Sequence, residues 1–348
     1  MPASNKLRWG ILGAARINQQ LMPAIVSAKN SELIAISSRR AGAAEAILKE
    51  YTPHVKQVDI YNDPATLLKD PNIDVIYIPL ASQEHAQWTL RAIEHGKHVL
   101  CEKPMALSVA DIEAIEIAAK KHNVYVMEGF MYRFHPQHQR IQEIINAGMI
   151  GAVRSVRTCF AYPMQPARLY RIDRDISQGG GAMWDIGCYA IHAARFPFVN
   201  EKALAVSAMA KHNAFGADIS SSGTIDFGDG RYAQFNFSFE HARRAEYEII
   251  GTQGGVKCHN IWAKQTEEPI ISWWTDSGEQ HTETLEITNH FQLEVEHFSD
   301  CILNRQNPKL SLQDAKDNCA IIVAALESVE QNKIIYIKQQ NKTTLSFS

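Results

Sequence analysis

The sequence predicts an α/β protein in two parts: a parallel sheet clad in helices, then an α+β domain with a large, mainly antiparallel open sheet. Three observations carry this. At 348 residues the chain exceeds one ordinary core, so two domains are the natural division. The first third alternates short, continuously apolar runs with helical stretches, as strands buried on both faces require. From Val153 onward the apolar residues alternate singly, as in Tyr232–Phe239 (YAQFNFSF), which suits a sheet covered on one side.

The runs Leu7–Leu12, Leu33–Ser37, Asp74–Leu80, Lys97–Cys101 and Val124–Glu128 read as strands. Between them Asn18–Ala28, Ala41–Tyr51, His85–His95 and Ser108–His122 read as helices, the last opened by a capping box of Ser108 and Asp111. Further on, Ile141–Ala147, His290–Leu303 and Ser311–Glu330 are helical in pattern, while Gly251–Gly255 reads as a turn. No repeat or low-complexity linker separates the halves, so the boundary is a close connection near Glu128–Arg133. The expected domains are 1–128 and 129–348.

Composition narrows the function classes. With 45% hydrophobic and 21% charged residues the chain reads as globular. A net charge of -3 argues against general affinity for nucleic acid. The cysteines at 101, 159, 188, 258, 301 and 319 form no CxxC pair, which suits reduced thiols in a cytoplasm rather than disulfides or zinc. The opening MPASNKLRWG lacks a signal-peptide core, and no apolar run approaches membrane-spanning length. His290, Glu294, His297 and Cys301 have ligand-like spacing, but Phe291, Val295, Phe298 and Ile302 run parallel to them. An amphipathic helix with a polar outer face explains both stripes, and no metal is expected.

Gly13 ends the first strand where a dinucleotide turn belongs. The fingerprint wants glycine at three positions, which here hold Gly13, Ala15 and Asn18. The N–H groups of Ala14, Ala15, Arg16 and Ile17, with the helix dipole behind them, favour a pyrophosphate and so a Rossmann domain. The second strand ends in Ser37-Ser38-Arg39-Arg40, where an NAD site usually carries an acid for the ribose 2′-hydroxyl. Ser38 and Arg39 suit a 2′-phosphate, which favours NADP, with NAD as the alternative.

Two further motifs are more specific: Glu102-Lys103-Pro104 after a strand, and Gly179-Gly180-Gly181-Ala182-Met183-Trp184-Asp185-Ile186-Gly187-Cys188-Tyr189. Together with the Gly13 turn and Ser82–His85, they resemble the glucose–fructose oxidoreductase, inositol dehydrogenase and MocA family (Gfo/Idh/MocA) over nearly the whole chain. Many members carry histidine where this chain has Tyr189. The tyrosine is similar to the branch of glucose–fructose oxidoreductase, NADP-dependent D-xylose dehydrogenase and dihydrodiol dehydrogenase. The resemblance implies Leu80, His85, Glu102 and Lys103 on the cofactor side, and Arg133 and His135 (in MYRFHPQ) on the substrate side. His192, three residues past Tyr189, is placed on the substrate side as the candidate to take over part of a histidine's role, although a packing role behind the site is favoured for it.

The chemistry follows from that set. Oxidising a carbinol removes its hydroxyl proton as hydride leaves, and a tyrosine with an ordinary pKa of about 10 needs a nearby cation for this. Lys103 is expected to supply the charge and bind the substrate oxygen. Asp185, four residues before Tyr189 and so on the same helical face, is expected to orient the pair. The resemblance implies NADP-dependent hydride transfer with a sugar-like carbinol, first an aldose at C1. Oxidation of a trans-dihydrodiol and reduction of a keto-sugar are alternatives. A dinucleotide-sensing regulator without catalysis is an alternative of another class, disfavoured by the retained lysine–tyrosine pair. The resemblance also implies a homo-oligomer (dimer or tetramer) formed through the second sheet, acting on a small molecule rather than nucleic acid or membrane.

Overall fold

Continuous apolar strands separated by helices build the first sheet. The computed structural model describes residues 6–199, 201–262 and 266–337. It runs β1 (Leu7–Leu12), α1 (Asn18–Ser27), β2 (Ser31–Ser37), α2 (Ala43–Tyr51), β3 (Asp59–Tyr61), α3 (Pro64–Leu68), β4 (Val75–Ile78), α4 (Ser82–Glu94), β5 (His98–Glu102), α5 (Val109–His122) and β6 (Val126–Gly129). All the strands are parallel, in the order β3-β2-β1-β4-β5-β6, so the chain order reverses between β1 and β4. The crevice beyond the carboxyl ends of β1 and β4 is where ligands sit in such sheets. Every residue of β4 is buried, as its lack of polar interruptions requires. Ser108 accepts the Asp111 N–H at 3.1 Å and donates to the Asp111 carboxylate at 2.7 Å, the expected capping box of α5. The short elements β3 and α3 escape the sequence pattern, although Asp63 caps α3 by accepting from the N–H groups of Ala65 and Thr66.

The second part runs α6 (Pro136–Asn146), β7 (Val153–Ala161), α7 (Cys188–Ala194), β8 (Ala205–His212), β9 (Asp218–Gly228), β10 (Arg231–Ser238), β11 (Arg244–Gly251), β12 (Gly254–Cys258), β13 (Ile270–Thr275), β14 (Gln280–Thr284), α8 (His290–Leu303), α9 (Leu312–Gln331) and β15 (Ile335–Tyr336). Its nine strands form one sheet, β14-β13-β12-β11-β7-β10-β9-β8-β15. Only the β7–β10 pair is parallel, so the sheet is mainly antiparallel, as expected. Phe235, Phe237 and Phe239 are buried together, and α7 and α9 lie along this sheet. α6 starts five residues earlier than the apolar pattern suggests, because His135 caps it and Pro136 occupies its first turn.

α8 corrects one expectation. Its polar stripe is not an outer face: His290, Glu294 and Cys301 are buried, as are Phe291, Val295 and Phe298. The cause is where the helix lies, wedged between α1 and the turn Met131–Phe134. No helix among the described residues is long and apolar enough to cross a membrane.

Candidate active site

The turn after β1 builds one end of a cleft of about 250 Å³, lined by Gly13, Ala14, Ala15, Ser37–Arg40, Pro79 and Leu80 among others. Gly13 has φ +124°, and a Cβ there would stand 2.8 Å from Leu80 Cδ2. The N–H groups of Ala14, Ala15, Arg16 and Ile17 donate to no acceptor among the described residues, and α1 follows them. That is a ready-made anion cradle. Asn18, at the third glycine position, fits it differently from glycine: its Nδ2 donates to the Gly13 carbonyl at 2.9 Å and ties the turn closed. At the far end Ser38 Oγ accepts the Arg40 N–H at 3.1 Å, folding the end of β2 into the cleft wall. The Arg39 side chain is 64% exposed and pairs with Glu84 at 3.1 Å, while Arg40 donates to the Ala14 carbonyl at 2.6 Å. These residues fit a dinucleotide with a phosphate at its ribose end.

The loop after β5 carries the lysine. Lys103–Pro104 is a cis peptide bond. Glu102 accepts from the Tyr77 hydroxyl at 2.7 Å, and Glu128 accepts the Met105 N–H at 2.7 Å. His85, expected on the cofactor, is instead buried between two loops: Nδ1 lies 2.7 Å from the Pro104 carbonyl and Nε2 2.9 Å from the Leu80 carbonyl. It braces the loops that meet the cleft. Burial lowers its pKa, against those two carbonyls.

Lys103 reaches across to the second part of the chain. Its Nζ donates to the Asp185 carbonyl oxygen at 2.7 Å, stands 3.4 Å from Asp185 Oδ1, and lies 4.6 Å above the Tyr189 ring. Asp185 sits in a π-helical turn, Met183–Gly187, running directly into α7. Three glycines make this possible. A Cβ on Gly180 would meet the Arg174 carbonyl oxygen at 1.9 Å, and one on Gly181 (φ +89°) would meet Asp218 Oδ1 at 2.0 Å. Asp218, from the start of β9, accepts the Met183 N–H at 2.7 Å and so anchors the turn. Burial pushes its carboxyl up to about 7.

The tyrosine departs from expectation in one respect. Lys103 faces its ring and not its oxygen, so the cation does not pull the phenol down. Burial, with Glu102 adding to it, holds the Tyr189 hydroxyl well above its ordinary pKa, and among the described residues that hydroxyl donates only to Met131 Sδ at 3.7 Å. Phe130, Phe160 and Trp262 pack edge-on around the ring. For Lys103 itself desolvation lowers the pKa, but Cys188 and Asp185 outweigh it and the net shift is upward.

The residues expected on the substrate side lie buried behind this cluster. His192 stacks on Phe130 at 4.0 Å, with Nδ1 2.6 Å from the Tyr132 hydroxyl and Nε2 2.8 Å from Asp314. With both nitrogens engaged, it holds a packed network in place of a substrate contact. His135 accepts the Gln137 N–H at 3.2 Å, and the Arg133 guanidinium lies 4.7 Å over Phe196. Sequence reasoning missed Arg171, whose Nη2 is 2.5 Å from Asp185 Oδ1, and Asp218. The basic run Arg168, Arg171 and Arg174 just before the glycines was the available signal.

A helix-start anion cradle leading to a buried lysine at the edge of a parallel sheet is the architecture of nicotinamide-dependent oxidoreductases. Residues 7–130 match the family model described as an oxidoreductase family with an NAD-binding Rossmann fold, and residues 138–257 match the GFO/IDH/MocA C-terminal domain. The chain belongs to this family of NAD(P)-dependent sugar oxidoreductases. It is 32% identical to D-xylose 1-dehydrogenase (NADP(+)) 2 of Haloferax volcanii, over 93% of this chain and 98% of that protein. It is 29% identical to trans-1,2-dihydrobenzene-1,2-diol dehydrogenase of Xenopus laevis, over 92% of this chain and 98% of that one. The solved 3-ketoreductase of Actinomadura kijaniata, in complex with NADP and TDP-benzene, superposes with a TM-score of 0.84 at 27% identity, covering 93% and 98% of the two chains.

Proposed function

We propose that the protein transfers a hydride between NADP and a carbinol carbon of a sugar, with oxidation of an aldose at C1 to the lactone as the leading reaction. The observation that carries this is Lys103, an ammonium pinned between the Asp185 carbonyl and the face of Tyr189. Lys103 binds the substrate oxygen, Tyr189 takes the substrate hydroxyl proton as it passes its own phenolic proton on to solvent, and Asp185 positions the lysine mainly through its backbone carbonyl. The cofactor, when bound, accepts or returns the hydride. Gly13–Ile17 would hold its pyrophosphate, and Ser38 and Arg39 the 2′-phosphate. NADP in the name of the Haloferax relative supports that choice.

A second reading, reduction of a keto-sugar, draws on the neutral Tyr189 phenol, which is a proton donor as it stands. It also draws on the ketoreductase, of which variants altered at a single lysine and at a single tyrosine have been solved. The test follows NADPH absorbance with NADP and aldoses or diols, and with NADPH and keto-sugars, each repeated with NAD(H). NADP reduction by an aldose, lost in Lys103→Met, is the expected result. Turnover of keto-sugars alone selects the second reading, and cofactor binding without any turnover selects a regulator.

A further inference from the structure

We propose that Arg171 is a positioning residue that takes the charge of Asp185, so that Lys103 is held by a neutral carbonyl and keeps its ammonium free for substrate. This rests on the reading of Lys103 as the group that binds the substrate oxygen.

Both cations approach the same oxygen, Asp185 Oδ1, but unequally: Arg171 Nη2 stands at 2.5 Å and Lys103 Nζ at 3.4 Å. The short lysine contact, 2.7 Å, goes to the backbone carbonyl of Asp185. An ammonium has three N–H donors: one goes to that carbonyl and a second makes the long 3.4 Å contact with Asp185 Oδ1, which leaves the third for substrate. The ionisable groups facing Lys103 are Cys188, Asp185, Arg171 and Glu102; the Cys188 thiol is pushed up to about 12 by burial and stays neutral, and Glu102 is occupied by the Tyr77 hydroxyl. Asp185 is therefore the carboxylate that would capture Lys103 if it lost its present partner. Its side chain is only 9% exposed, with Oδ2 already lacking a partner among the described residues, and a carboxylate so enclosed and unpaired closes on the nearest cation.

The position of Arg171 is built, not incidental. It ends the 3-10 turn Pro166–Arg171, and the segment beyond is pinned at three points. Arg174 donates to Gln83 Oε1 of α4 at 3.1 Å, and the Trp184 indole donates to the Ile176 carbonyl at 3.1 Å. Gly180 then passes so close to the Arg174 carbonyl that no side chain fits there. The triple glycine thus serves the arginine as well as the aspartate. A guanidinium suits the task because it pairs with the carboxylate and never deprotonates.

The test compares Arg171→Met, Asp185→Asn and the double variant in the full chain, using the substrate found in the panel. Arg171→Met should lower kcat by ten- to a hundredfold, with NADPH affinity and melting temperature near wild type. Asp185→Asn keeps the backbone carbonyl and removes the charge, so adding it to Arg171→Met should raise kcat at least fivefold above that single variant. Arg171→Lys should recover most of the activity. A double variant no faster than Arg171→Met, or a single variant at wild-type rate, overturns the proposal, because a purely structural arginine gives no such rescue. If Arg171→Met does not fold, Arg171→Gln carries the same comparison. Lys103→Met separates the two claims: full turnover there removes the underlying reading, whereas its loss beside an indifferent Arg171→Met removes only this one.

Discussion

The two ends of the site are made differently. The cofactor end is backbone and open space: unpaired N–H groups before α1, a glycine with positive φ, and an arginine exposed to solvent. The catalytic end is side chain and burial, with Lys103 11% exposed, Tyr189 walled in by aromatic rings, and Asp185 shared between two cations. Solvent screens charge at the first end and leaves it strong at the second. Substitutions at the cofactor end should therefore tune affinity and preference, while those at the catalytic end should decide whether any reaction occurs.

The largest expected effect breaks the catalytic end. Tyr189→Phe removes the exchanging proton and leaves the packing, so kcat should fall by about 10²–10⁴-fold while NADPH titration by fluorescence stays near wild type. Equal losses in binding and turnover would erase the contrast between the ends. The next effect sharpens the cofactor end. Arg39→Ala should cost kcat/KM for NADP roughly ten- to a hundredfold, the worth of one charge-assisted contact, and leave that for NAD unchanged. No loss with either cofactor would assign Arg39 to the surface, and equal losses with both would take it off the 2′-phosphate.

The smallest effect is read in stability rather than rate. Burial lowers His135 to about 4 and His290 to about 3, below the value of 6.5 each has when unfolded. The unfolded chain takes up those protons first, so the stability they confer is present above about pH 6.5 and lost as pH falls toward 4. Asp218, raised to about 7, works in the opposite sense, its contribution being lost as pH rises. The melting temperature should drop between pH 6.5 and 4, and less steeply in His135→Gln/His290→Gln. Parallel curves for the two proteins would show that these rings do not set the slope.

What could be read from the sequence follows the same division. The strands, the Gly13 turn and the cap of α5 depend on residues close together in the chain, and local pattern carries them. Periodicity in α8 showed two stripes at one spacing but not which of them α1 would cover, so His290 and Glu294 passed for an outer face. The loop motif located Lys103, yet whether a cation meets a phenol at its ring or its oxygen is a tertiary fact, and here it meets the ring. Asp218 acts through β9 on a turn far from it in the chain, so no spacing announced it, and the basic run marked Arg171 without showing that it folds back onto Asp185. The triple glycine was visible, but its reason lay in the Arg174 carbonyl and the Asp218 carboxylate.

α8 has a consequence for how the chain is made. Phe298 meets Trp9 of β1 edge-on at 6.1 Å, and Asn30 donates to the Glu296 carbonyl at 2.9 Å, so a helix near the end of the chain covers the sheet formed at its beginning. During synthesis the nucleotide-binding half leaves the ribosome long before its cover exists. Its flank at Trp9 lacks the Phe298 ring until α8 has emerged. Completion of the first half therefore waits on translation of the last, the order in which exposed apolar surface makes incomplete chains prone to aggregate.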